Sequence, residues 1–135
     1  MTPSAEILKG FLSSIDKANV LDHRQYYQWD IEVWGNYFEL WELLACLRNI
    51  AACAERNAVI LIKIGAIDTL SKILTLWYEG DVTRLNKKFH QLEKIYAAEC
   101  CQLLALYEQG KQAIKSNSEL MKGSLLKVLT LSFLM

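Results

Sequence analysis

Apolar positions along the chain recur mostly at steps of three and four, the period of an α-helix with one buried face. Ser4 is placed to cap a first helix, in which Ile7, Leu8, Phe11, Leu12 and Ile15 form the stripe, with an end near Asn19. Val20 to Gln25 reads as a polar connector. From Tyr26 to about Ala54 no proline intervenes, and Gly35 is the single glycine. Trp34, Tyr37, Phe38 and Trp41 step by three and four, so the expectation is one long helix, or two nearly collinear ones kinked at Gly35. Leu47, Ile50, Ala51 and Ala54 continue the stripe. The polar run Glu55, Arg56 and Asn57 marks a turn, and Ala58 to Ile64 is a short, nearly all-apolar helix. Such a helix must be buried between neighbours. Gly65 ends it, because glycine takes the left-handed conformation without steric cost. Ile67, Leu70, Ile73 and Leu74 give a further stripe, running to about Tyr78.

Glu79 to Asp81 mark a turn, after which Val82 to Glu108 reads as one helix carrying Leu85, Phe89, Leu92, Ile95, Tyr96, Leu103 and Leu106. Gly110 is placed to end it. Lys111 to Asn117 and Ser124 to Met135 complete the helical series. Shifted by 55 residues, the chain matches itself in part: Leu70, Ile73 and Leu74 meet Leu125, Val128 and Leu129, and Cys46 meets Cys101. That pattern predicts two units, roughly 26–78 and 82–135, each a long, a short and a medium helix. In this alignment Leu104 stands where the first unit has Asn49.

Composition narrows the class. Hydrophobic residues make up 53% of the 135, enough for one domain with a sizeable core. Lys plus Arg and Asp plus Glu both number 15, so the basic excess of a nucleic-acid binder is missing. Charges interrupt the N-terminal stretch, which lacks a signal-peptide core, and no apolar run reaches the length of a membrane helix. The four cysteines, Cys46, Cys53, Cys100 and Cys101, sit in apolar helical patterns and are expected as buried reduced thiols, which places the chain in the cytosol or nucleus. Their spacing is not that of a metal site, and no phosphate-loop, serine-hydrolase or zinc-protease motif occurs. No metal or cofactor is expected, and no catalytic residue is assigned.

The segment from Leu47 to Leu74, LRNIAACAERNAVILIKIGAIDTLSKIL, resembles an armadillo repeat. Leu47, Asn49, Ile50 and Ala51 match the end of the family's third helix. Asn57 and Leu61 match the short helix that follows, and Gly65, Ala66, Ile67, Leu70 and Leu74 match its glycine turn and next helix. The resemblance implies an all-α fold: a right-handed α-solenoid of about two armadillo-like repeats, with the N-terminal helix as a cap. About three repeats are usually needed for stability, so the chain looks short for the class, either self-capped, truncated from a longer protein, or completed by a partner at its apolar end.

The resemblance also implies a non-catalytic protein-interaction module, an adaptor or scaffold whose concave helical face receives a peptide or a partner helix. In such families a third-helix asparagine bonds the main chain of an extended peptide, and Asn49 matches it by register. A planar amide suits that task because it both donates and accepts. Arg48 and Arg56 flank the same helix end and are candidates for a partner carboxylate, or for a solvated helix C-terminus whose dipole favours a cation. Trp41 lies two turns before Asn49 as an aromatic anchor, although a stripe at helical spacing is more often core. Trp29 and Tyr26 fall off that stripe. Arg84, Lys87, Lys88 and His90 form a small basic cluster, the plainer account of which is a solvated face. The remaining alternatives are self-association through the apolar helix from Leu125 to Met135, thiol catalysis and membrane-surface attachment.

Overall fold

The computed structural model describes residues 4–24, 31–33, 36–75 and 87–121. Helix α1 spans Ala5–Arg24. Two short strands follow, β1 (Ile31–Val33) and β2 (Asn36–Phe38), and then helices α2 (Leu40–Cys53), α3 (Glu55–Lys63), α4 (Ala66–Thr75), α5 (Lys87–Leu104) and α6 (Glu108–Ser116). The described chain is therefore helical apart from one two-stranded hairpin. No helix among the described residues is long and apolar enough to cross a membrane.

Ser4 caps α1 as the sequence predicts, its Oγ accepting the Ile7 N–H at 3.2 Å. The helix runs on to Arg24 rather than stopping at Asn19, since no glycine or proline interrupts those positions. Its buried face is Leu8, Phe11, Leu12, Ile15 and Ala18, and Ile7 stays exposed.

The predicted long helix from Tyr26 is corrected between residues 31 and 38. Ile31 pairs with Phe38, Glu32 with Tyr37 and Val33 with Asn36 in an antiparallel ladder. Ile31, Val33, Tyr37 and Phe38 are β-branched or aromatic, types that a pleated half-buried surface favours, and this outweighs the three-and-four spacing of the aromatics. Helix α2 starts only at Leu40, where its N-cap residue Glu39 donates its N–H to the Glu42 carboxylate at 3.0 Å. Gly35, Tyr26 and Trp29 lie outside the described residues, as do Arg84 and the predicted helix from Ser124.

Leu40, Leu43, Leu44, Leu47 and Ala51 are the buried face of α2. The turn after it is a single extended residue, Ala54, with φ −157° and ψ 144°. Glu55, Arg56 and Asn57 do not form the turn. They are the first turn of α3, and Asn57 is 4% exposed. Its Nδ2 donates to the Ile50 carbonyl at 3.0 Å. The amide therefore donates to a carbonyl in the last turn of α2 from seven residues away, tying the start of α3 to the end of α2. Gly65 ends the α3 turn in the left-handed region at φ 96°, and its carbonyl accepts the N–H groups of Asp68 and Thr69 to start α4.

Helix α5 differs most from the sequence pattern. Its buried face is Glu93, Ala97, Cys100, Cys101 and Leu104, while Ile95 is 51% and Leu106 70% exposed. The helix is flanked by both α2 and α4, and small side chains permit that close approach. It ends at Leu104 rather than Glu108. Gly110 lies inside α6, not at a helix end. Asn117 closes α6, its Oδ1 accepting the Leu120 N–H at 3.1 Å and its Nδ2 donating to the Asp68 carboxylate of α4 at 3.2 Å.

Helices three places apart pack together: α1 against α4, α2 against α5, and α3 against α6. One hydrophobic core draws on all six. Helices α3 and α6 are each nine residues long, and both follow an extended residue, Ala54 or Tyr107. They start 53 residues apart, at Glu55 and Glu108. At that offset buried Leu61 meets buried Ile114, Ile67 meets Leu120, Leu47 meets Cys100, Leu44 meets Ala97, and Ala51 meets Leu104. The sequence offset of 55 placed exposed Cys46 on buried Cys101. The offset of 55 followed the match of Leu74 to Leu129, which lies outside the described residues, whereas the burial pattern of the described residues aligns at 53.

Candidate functional site

The exposed face of α2 carries Asn49, with Ala52, Cys46 and Cys53 beside it. Trp41 and Arg48 are half-buried at its margin. Their positions follow from the helical period: Asn49 lies opposite the Leu43–Leu47–Ala51 face, and Arg48 lies between the two. Asn49 and Arg48 also touch, the guanidinium donating to the Asn49 amide oxygen at 3.5 Å.

Arg48 is engaged within the molecule. Its Nη1 meets the Glu99 carboxylate of α5 at 3.3 Å, and its guanidinium sits 4.7 Å from the centre of the Tyr96 ring. A planar cation suits both contacts at once. The pair ties α2 to α5 and neutralises the one guanidinium nearest Asn49. Trp41 Nε1 donates to the Glu39 carboxylate, which holds the indole at the helix N-terminus. Arg56 stands apart. It is exposed in the first turn of α3, beyond the Ala54 break, and so does not extend the α2 face. That position also reverses the dipole expected for it, since a helix N-terminus disfavours a cation. Lys87, Lys88 and His90 form the first turn of α5.

A residue that the sequence did not single out joins the face. At the offset of 53, Gln102 on α5 takes the place that Asn49 takes on α2, and it is partly exposed. Two amides thus occupy equivalent positions on adjacent packed helices, with the Arg48–Glu99–Tyr96 cluster between the helices. At this offset Gln102, and not the Leu104 of the 55-residue alignment, corresponds to Asn49. Aligning the starts of the two short helices would have found Gln102 in the sequence.

The thiols divide by element. Cys46 and Cys53 are exposed on α2, a correction to the expectation that all four are buried, while Cys100 and Cys101 are buried in α5. Cys100 Sγ lies 3.8 Å from the Leu44 carbonyl, which it meets as a weak donor. Burial pushes Cys101 up to about 12. Burial, with Cys101 adjacent, pushes Cys100 beyond the ordinary thiol range. Both are thiols, not thiolates, at neutral pH, and so are poor nucleophiles. Among the described residues no group of three or more His, Cys, Asp and Glu side chains is placed to hold a metal ion. No protein-family model, curated protein or solved structure matches the chain.

Proposed function

We propose that this protein is a non-catalytic interaction module, an adaptor or scaffold, built as a short armadillo-like α-solenoid in which α2–α3–α4 and α5–α6 are successive units. The contacts of α1 with α4, α2 with α5 and α3 with α6 support the solenoid, because a stack of three-helix units brings equivalent helices together. The partner is an extended peptide or a helix, received on the face that α2 and α5 share. One observation carries this reading: Asn49 and Gln102 stand at the same register on neighbouring helices, the first exposed and the second partly exposed. Each amide offers a donor and an acceptor to a main chain lying across the helices. Arg48, held by Glu99, acts as a brace beneath the face, and Trp41 forms its edge. The compartment consistent with two buried reduced thiols is the cytosol or nucleus.

The test is a pull-down from cell extract with wild type, Asn49→Ala and Gln102→Ala side by side, each checked for unchanged helicity and melting temperature. The expected result is a partner retained by wild type and weakened at least several-fold by each single variant. Equal retention by all three would reject the α2–α5 face.

A further inference from the structure

We draw no further inference here: the strongest candidate, the exposed apolar patch of Ile95 on α5 and Leu106 in the turn after it, is unpartnered, and nothing in the structure shows what covers it.

Discussion

Gly110 packs directly on the backbone carbonyl of Leu104, so closely that a Cβ at position 110 would overlap its oxygen. The first turn of α6 crosses the end of α5 with no room for a side chain between them. At the equivalent junction, between α2 and α3, Asn57 occupies the place of Gly110 and donates its amide to the Ile50 carbonyl. The same geometric problem, a helix end that must turn sharply into a short helix, is met by an amide contact at one junction and by backbone contact at the other.

Gly110→Ala should therefore destabilise the protein, even though alanine is the better helix former by about 1 kcal/mol. The methyl group meets backbone, which cannot swing away as a side chain would. Overpacking of this kind costs about 1–3 kcal/mol. The expected fall in Tm is roughly 3–10 °C, scaled to a chain of this size. Thermal melting followed by circular dichroism measures it. A variant as stable as wild type would show that α6 does not cross α5 at this distance.

Asn57→Ala removes the buried amide that donates to the Ile50 carbonyl, and the expected cost is about 1–2 kcal/mol. The loss sits toward the lower end because Asn57 Oδ1, which has no hydrogen-bond partner among the described residues, is removed with it. Asn57→Asp should be worse at neutral pH. It replaces the donor by an oxygen, sets acceptor against acceptor and buries a charge. Urea midpoints of the three proteins give the order wild type, Ala, Asp. Asp equal to Asn would mean that the amide is not the donor.

These two junctions also show what was legible in the sequence. The α3–Gly65–α4 segment was readable because local chemistry and tertiary packing agree there: an apolar short helix, a glycine at φ 96°, and Ile67, Leu70, Ile73 and Leu74 all buried. The hairpin was not, since the aromatic spacing from Trp34 to Trp41 satisfies a helical period while the β-branched and aromatic residues of the strands decide the backbone. Around α5 the large apolar residues attract the eye, yet Ile95 on the helix and Leu106 in the turn after it are exposed, while Ala97, Cys100 and Cys101 are buried. Close helix packing selects small side chains, and hydrophobicity alone ranks them low. For the candidate face, Asn49 was visible by its register, but Gln102 depended on aligning the chain by its short helices rather than by matching residue types, and the engagement of Arg48 depended on a contact 51 residues away.

The Arg48–Glu99 contact between α2 and α5 is partly solvated, with side chains 29% and 40% exposed. Screening reduces such pairs, so a double-mutant cycle with Arg48→Ala and Glu99→Ala should give a coupling of about 0.5–1 kcal/mol. Arg48→Ala alone should cost more than Glu99→Ala, because it also removes the stack on Tyr96. Raising salt should shrink the coupling and leave the stacking contribution largely in place. Equal single-variant costs would show that the ring contact contributes nothing to stability.

The cysteines predict both a reactivity split and an alkaline limit. In the folded protein a thiol reagent should titrate Cys46 and Cys53 quickly, and should reach Cys100 and Cys101 only at the rate of unfolding. Those two thiols are raised in the folded state, Cys101 from 9.0 to about 12 and Cys100 further, so the unfolded chain ionises first as pH rises. Below pH 9 both states hold the protons and stability is unaffected. Above it, the unfolded state binds fewer protons than the native state, and stability falls toward pH 12. Each thiol contributes a slope of up to about 1.4 kcal/mol per pH unit, so moving from pH 9 to pH 10 should cost roughly 1–2 kcal/mol from the pair. Cys101→Ala should flatten that slope, at the cost of a small cavity that lowers stability at every pH. Urea midpoints of wild type and variant at pH 8, 9 and 10 separate the two effects. Parallel pH profiles would show that Cys101 ionises as readily in the native state as in the unfolded chain, and four fast-reacting thiols would show that α5 does not bury its cysteine pair.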